Sequence, residues 1–406
     1  MRTTLLALAG STAAQSLLPS NPGGAVAVGI QAPSYAGFNN ATIGISRGGL
    51  AVCVSGTFPV TANTTRNIKF NYKLPQNQSQ VTETFVEIAT DGSPLVEQIV
   101  GGLQSAGGTF SIGGTLCTPA NDTAPKGVQL LTHGVGFDRY YWDFAPGYSY
   151  VDAAVQNGYA AFFYDRLGVG VSEQPDALNV VQAALEVEIA HELACMLRNG
   201  TYSNNKFEDV IGVGHSFGSI ITQAVTSEYP SAFDAAILTG FSVNSTALPV
   251  FLTALNLAIA GENQPYRFPA VPAGYLVSGT AISNQIGFFR APGFDPAILA
   301  LAEAMKNTVT LGELFTTAAV VAGAPGYTNP LAVVNGAEDL PFCFGNCSYP
   351  TNKAAMVQLA LYPNVSSSNF GTYLAPVTGH GLNLHYGAVG AYHYIQSFLK
   401  EHNLGL

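Results

Sequence analysis

Residues 208–230, EDVIGVGHSFGSIITQAVTSEYP, constrain the fold more than any other stretch of the chain. The run from Val210 to Val213 reads as a buried strand; the run from Phe217 to Glu228 has helical spacing and is stopped by Pro230. Between them stands Gly214-His215-Ser216-Phe217-Gly218. A strand that turns into a helix through Gly-x-Ser-x-Gly holds its serine in a strained turn at the carboxyl edge of a sheet. Gly214 and Gly218 remove side chains that would collide there. The N–H of Phe217 then lies at a helix N-terminus, where the peptide dipoles favour negative charge. The pattern occurs a second time, as Gly44-Ile45-Ser46-Arg47-Gly48. That copy follows a poor strand and precedes the strand-like GLAVCV, so Ser46 is expected in a surface loop.

The rest of the chain supplies the sheet that such a turn needs. GVQLLTHG, AAFFYDRLGVGVS, FDAAILTGF and NPLAVVNGAED read as buried strands, and DALNVVQAALEVEIAHELACMLRNG reads as a helix closed by Asn-Gly. Strands alternating with helices imply an α/β fold, a mostly parallel sheet with helices on both faces. Residues 20–120 are rich in Gly, Ser, Thr and β-branched runs and are expected to form a β-rich N-terminal extension. The core is expected in two parts, 121–242 and 329–406. The interval between them is far longer than a crossover needs. It contains PVFLTALNLAIAG, PAILALAEAMKN and LGELFTTAAVVAG, which read as helices, so residues 243–328 are expected to be an inserted helical cap.

Only 10% of the 406 residues are charged, while 48% are hydrophobic. Ordinary soluble proteins carry about 25% charged residues, so something besides charge has to keep this surface in water. Eight N-x-S/T sequons, at Asn40, Asn63, Asn77, Asn121, Asn199, Asn244, Asn346 and Asn364, offer N-glycans for that purpose. The N-terminal MRTTLLALAGSTAAQS carries one Arg, a short apolar stretch and small residues before Gln15. Residues 1–14 are therefore expected to be a signal peptide and the protein to be secreted. Beyond it no apolar run reaches the roughly 18 residues of a membrane span, and none is expected. The net charge of −10 argues against nucleic acid and anionic membranes as partners. Of five cysteines at most four can pair internally. Cys343 and Cys347 stand in the turn-rich PFCFGNCSYP and can close a small loop. Cys53 and Cys117 sit in strand-like runs that can be bridged as neighbours. Cys195, in a helical run, is expected to be a buried free thiol. No Cys/His cluster has metal-ligand spacing, and neither a metal nor a cofactor is expected. The oligomeric state is not legible.

A serine hydroxyl is a poor nucleophile without a base, and the base needs an orienting carboxylate. In a fold with this turn the acid and then the histidine follow the serine. Four of the seven histidines come late enough: His380, His385, His393 and His402. His380, in YLAPVTGHGLNLH, follows a strand and stands between glycines. The other three fall at or along a run of helical spacing, with His385 the nearest rival. NGAED puts Asp339 three residues after Gly336, with Glu338 as its rival. LLTHGVGFDRYYWD supplies a His-Gly turn whose N–H groups at Val135 or Gly136 can join that of Phe217 as an oxyanion hole. Arg139, Tyr140 and Trp142 either line the mouth there, with Trp142 a pocket candidate, or pack beside it. His133 is expected to make a structural hydrogen bond, and Asp165 with Arg166 a fixed ion pair or loop anchor. Phe288 and Phe289 in IGFFRAPGF are candidates for a substrate-pocket wall.

LTHGVGFDRYYWD, YDRLGVGVS, GHSFGS, NGAED and TGHG stand in the order and spacing of the α/β-hydrolase superfamily, which the chain resembles from about residue 50 to about residue 400. More closely it looks like the secreted fungal α/β-hydrolases that carry an N-terminal β extension, a CTP near the start of the core and a cysteine pair after the acid. The resemblance implies that Ser216 attacks a carbonyl, that His380 is the base and Asp339 its orienter, and that water releases an acyl-enzyme. Esters and lactones are expected rather than amides, since alcohols leave more readily, and the apolar cap points to a hydrophobic acyl group or alcohol. The alternative within the superfamily is a non-hydrolytic step of secondary metabolism: acyl transfer, elimination or cyclisation. Haloalkane or epoxide chemistry would need a carboxylate where Ser216 stands.

Overall fold

The computed structural model describes residues 32–120, 124–269 and 271–405. The expected leader, residues 1–14, and the sequon at Asn121 lie outside the described residues. One sheet organises the molecule. Its strands are β1 (Asn39–Ile45), β2 (Ala51–Phe70), β3 (Val100–Pro119), β4 (Gly127–Thr132), β5 (Ala160–Tyr164), β6 (Asp209–His215), β7 (Ala235–Thr239), β8 (Leu331–Gly336) and β9 (Phe370–Ala375). They lie in the order β1-β2-β3-β5-β4-β6-β7-β8-β9. From β5 to β9 every neighbour is parallel. β4, β5, β7 and β8 are buried at every position, so both faces of the sheet are covered, as continuous apolar runs in a parallel sheet require.

Ten helices matter to the layout: α1 (Gln78–Ala89), α2 (Tyr150–Gln156), α3 (Ala183–Asn199), α4 (Phe217–Glu228), α5 (Leu248–Leu255), α6 (Ala281–Phe288), α7 (Pro296–Met305), α8 (Leu311–Thr316), α9 (Met356–Leu361) and α10 (Ala388–Glu401). The helix expected to close at Asn-Gly does so: α3 ends at Asn199, and Gly200 takes the left-handed conformation at φ 74°.

The N-terminal segment is not a separate module. β1, β2 and β3 continue the same sheet in antiparallel fashion, β3 pairing with β5 from Gly114 to Cys117. Cys53 and Cys117 stand directly opposite each other on β2 and β3, Cα atoms 4.0 Å apart, and are disulfide-bonded. The segment also holds α1, which a β-rich reading did not anticipate. Its helical spacing is carried by Val81, Thr84 and Phe85 among polar residues, and Asn77 caps it by accepting the N–H of Gln80 at 3.0 Å. Gln78 on α1 then bonds the backbone of the cap, donating to Leu257 O at 3.0 Å and accepting from Ile259 N at 2.9 Å.

The cap contains α5 to α8, and also three short antiparallel strands, Ala258–Ile259, Tyr275–Val277 and Val309–Thr310. Strands of two or three residues are too short to show a period of two, so the purely helical expectation missed them. Where the cap leaves the sheet, the buried Asn335 of β8 holds both backbone groups of Phe241, accepting its N–H and donating to its C=O at 2.9 Å each. Among the described sequons, Asn40, Asn63, Asn77, Asn199, Asn346 and Asn364 are exposed and Asn244 is half-buried. No described helix is long and apolar enough to cross a membrane.

Candidate active site

β6 ends at His215 and α4 begins at Phe217, so Ser216 alone makes the turn, at φ 56° and ψ −119°. A positive φ at a residue with a Cβ costs about 1–3 kcal/mol and persists only where its surroundings impose it. Here the Ser216 N–H is held by Thr239 O at 2.9 Å. The flanking glycines are obligatory: a Cβ on Gly218 would stand 2.0 Å from Thr132 O, and one on Gly214 2.4 Å from Gly218 O.

The turn presents the Ser216 hydroxyl to a histidine and an acid from the last two strands. His380 Nδ1–H donates to Asp339 Oδ2 at 2.6 Å, which leaves Nε2 as the acceptor facing Ser216 Oγ at 2.7 Å. Ser216, His380 and Asp339 are 5%, 1% and 0% exposed. Asp339 is fixed twice over, because its Oδ1 accepts the Phe342 N–H at 2.9 Å and caps the short helix Leu340–Cys343. The Cys343–Cys347 disulfide closes the turn behind it, and the Gly345 N–H returns to Asp339 O at 2.8 Å. Around the His380 ring stand Phe251, Phe288 and Phe342, with centroids 5.5, 5.9 and 5.8 Å away. In such walls a charge on the imidazole depends on the Asp339 carboxylate. His215 lies 5.0 Å away and stays neutral; burial, then the nearby His380, hold it well below the usual imidazole range.

Among the described residues the N–H groups of Val135, Gly136 and Phe217 have no hydrogen-bond partner. Val135, Ser216 and Phe217 border one cavity of ≈ 60 Å³, together with Leu248, Phe251, Leu252 and Leu314 of the cap. The Gly134 backbone is pressed against the serine: a Cβ there would lie 2.8 Å from Ser216 Cβ. The arrangement can take a proton from a serine hydroxyl and offer N–H groups to an oxygen that gains charge.

The model of the alpha/beta hydrolase family matches residues 129–390. The chain belongs to the alpha/beta hydrolase family. Similar solved structures include a thermophilic esterase from Thermogutta terrifontis, with 15% identity over 72% of this chain and 94% of that one and a TM-score of 0.46. The alpha/beta hydrolase GrgF from Penicillium sp. sh18 has 16% identity over 72% and 94%, TM-score 0.46. A soluble variant of monoglyceride lipase from Saccharomyces cerevisiae has 13% identity over 72% and 92%, TM-score 0.46. No curated protein matches.

In this alpha/beta hydrolase several residues lie elsewhere than expected. Glu338 turns outward to an ion pair with the exposed Arg290, away from His380. His385 is a buried clamp on the histidine loop. Its Nδ1–H donates to Gly381 O at 2.8 Å, and its Nε2 accepts the N–H groups of Gly379 and Arg290 at 3.1 and 2.9 Å. Burial pulls its pKa down to about 4. Phe288 stacks behind His380 and does not border the cavity, and Phe289 faces Phe294 and His385, centroids 4.9 and 5.5 Å away. Successive residues at a helix end point in different directions, so the FF pair cannot line one wall. Trp142 is fully buried, edge-on to Tyr141 and Tyr150, and does not border the cavity. Gly136 sits under the Phe288 ring, while Val135 reaches the cavity. Asp165 and Arg166 do not pair with each other: Asp165 binds Arg139, and Arg166 binds Glu186 and Glu313. Ser46 is buried, not in a surface loop; Asp152, far away in sequence, accepts its hydroxyl at 2.5 Å. Cys195 is free and partly buried. Sequence reasoning passed over Asn335, a lone amide inside an apolar strand, and Glu313, whose only local signal is the capping box with Thr310. No described group of three His, Cys, Asp or Glu residues could hold a metal ion.

Proposed function

We propose that the protein is a secreted serine hydrolase that cleaves an ester or lactone of a hydrophobic small molecule through an acyl-enzyme on Ser216. The observation that carries this reading is the unbroken Asp339–His380–Ser216 hydrogen-bond chain, with the Phe217 N–H free beside it. Ser216 Oγ attacks the carbonyl carbon while its proton passes to His380 Nε2. The carbonyl electron pair moves onto oxygen, between the N–H groups of Phe217 and Val135. Asp339 holds Nδ1–H in place and stabilises the imidazolium. Collapse breaks the bond to the alcohol, which leaves with the His380 proton. Water adds by the same route and releases the acid. The cavity supports a hydrophobic group, since no charged side chain borders it among the described residues. Two disulfides and the exposed sequon asparagines support passage through an oxidising, glycosylating compartment.

The cap leaves Ser216 only 5% exposed, which favours a second reading: transfer of the acyl group to a bound alcohol, or another step that excludes water. One screen tests both. p-Nitrophenyl esters and aromatic lactones of graded size are offered to the wild type and to Ser216→Ala, with free acid and transesterified product measured separately. Turnover confined to the wild type and yielding acid is the expected result. Full turnover by Ser216→Ala overturns the serine mechanism, and transfer products in excess of acid favour the second reading.

A further inference from the structure

Arg166, which the reaction above does not use, is fully buried beside the site and touches both halves of the proposed oxyanion hole. Its Nε donates to His133 O at 3.1 Å, and its Nη2 makes a longer bond of 3.5 Å to Gly134 O. Its guanidinium lies over the Phe217 ring, 4.6 Å from the centroid. Its backbone N–H donates to His133 Nε2 at 3.1 Å, which leaves the other ring nitrogen, Nδ1–H, to donate to Gly134 O at 2.8 Å. Burial, then the Arg166 charge, keep His133 well below the usual imidazole range, so this tautomer persists. The C=O of Gly134 and the N–H of Val135 belong to one trans peptide and point in opposite directions. A carbonyl drawn toward His133 and Arg166 therefore aims the Val135 N–H away from them, on the side of the turn that borders Ser216.

The remaining donor of Arg166 reaches two carboxylates. Nη1 donates to Glu186 Oε2 of α3 at 2.9 Å and to Glu313 Oε1 of α8. All three side chains are buried. Burial holds the Glu186 carboxyl well above the usual carboxylate range against the pull of Arg166, and Glu313 is the carboxyl group that the cap brings to the same guanidinium nitrogen. Glu313 belongs to the cap. Its Oε2 accepts the Thr310 N–H, its own N–H donates to Thr310 Oγ1 at 3.1 Å, and Thr310 Oγ1 in turn donates to Val181 O of the core at 3.2 Å.

Resting on the serine hydrolase reading, we propose that Arg166 is a positioning residue for the oxyanion hole and that Glu313 makes its position conditional on a seated cap. Removing Glu313 leaves a buried guanidinium without its partner from the cap. Arg166 then shifts toward Glu186, and the Gly134–Val135 peptide loses its aim.

The test compares two ketones on the intact enzyme. An alkyl trifluoromethyl ketone adds to Ser216 as a hemiketal oxyanion; the matching methyl ketone binds without a stable one. Arg166→Lys and Glu313→Gln, both of which keep side-chain volume, should weaken the trifluoromethyl ketone at least tenfold. They should lower kcat/KM on p-nitrophenyl butyrate by the same factor, with methyl-ketone affinity changed less than twofold. Glu303→Gln, on α7 of the cap, should change none of these. Active-site titration with a fluorophosphonate corrects for misfolded enzyme, and Glu313→Asp, which restores the charge, should recover part of the loss. Equal weakening of both ketones, or a loss accounted for by the titrated fraction, overturns the inference. A wild type that hydrolyses the ester but whose variants bind both ketones unchanged also overturns it and leaves the hydrolase reading intact. A wild type that binds no trifluoromethyl ketone overturns the two together.

Discussion

Two serines in this chain stand in Gly-x-Ser-x-Gly, and the fold treats them in opposite ways. Ser216 sits at a positive φ between a strand and a helix, with its hydroxyl toward His380. Ser46 directly follows the strand β1 and precedes a turn. Its hydroxyl donates to Asp152 and accepts the N–H groups of Leu50 and Ala51 at 3.1 and 3.0 Å. Both motifs use a glycine for close approach, since a Cβ on Gly48 would lie 1.7 Å from Asp152 Oδ2. The same five-residue pattern therefore sets a hydroxyl against an imidazole in one place and builds a turn lock in the other. What separates them is the partner, an imidazole against a carboxylate, and the element that follows, a helix against a strand.

The comparison breaks most sharply at the hydroxyls. Ser216→Ala should lower kcat/KM by at least about 10⁴-fold with the unfolding midpoint nearly unchanged, and a fluorophosphonate should label Ser216 and not Ser46. Labelling of Ser46 would remove the distinction. Asp339→Asn should cost about 10³- to 10⁴-fold in kcat, because it disturbs the tautomer of His380. Glu338→Gln should stay within about twofold, and the reverse ranking would make Glu338 the orienting acid.

The two regions should also respond to acid in opposite senses. His385, on the loop that carries His380, has a folded pKa of about 4 set by burial. The unfolded value is about 6.5, so the folded state binds fewer protons between the two. Its stabilising effect is complete above pH 6.5 and is lost on acidification toward pH 4, a change of about 3 kcal/mol. Burial raises Asp152, beside Ser46, so its contribution is present in acid and declines as pH rises through its folded pKa. Urea unfolding of wild type, His385→Gln and Asp152→Asn across pH 4–8 separates the signs; a His385→Gln protein with undiminished acid sensitivity would refute the first. Phe251→Ala, at the cavity wall, should shift the preference between two esters of different acyl size by more than tenfold, about 1.4 kcal/mol, whereas Phe289→Ala should lower stability and leave the ratio alone. Smallest in activity is Ser46→Ala, within about twofold, but it should destabilise by about 1–3 kcal/mol because Asp152 loses its buried donor.

The parallel strands, α3, α4 and the trio Ser216, Asp339 and His380 were legible because each rests on local signals: an apolar run, an Asn-Gly stop, a glycine beside a polar residue at a strand end. What escaped was set by distant partners. The surroundings of Ser46 look like a loop in sequence, and only Asp152, from another element, makes it core. The charges at Asp165 and Arg166 were visible, but adjacent side chains leave the chain in different directions and found separate partners. Trp142 and Phe289 have the composition of a pocket wall, and composition does not say which way a ring points. The helix α1 was hidden because its polar, Thr-rich sequence resembles the strands around it more than its spacing betrays it.

The hydrogen bond between Ser216 and His380 joins residues 164 positions apart, and His380 follows the last strand of the sheet. During synthesis the elbow leaves the ribosome long before the histidine that faces it exists. The antiparallel hairpin of β2 and β3 is local and can pair first, while β8 and β9 arrive only after the whole cap has been made. Any nascent chain ending before His380 therefore carries Ser216 without its imidazole partner. The contact forms only once the stretch after β9 has docked, so on the proposed mechanism the chemistry depends on the last strand to be made.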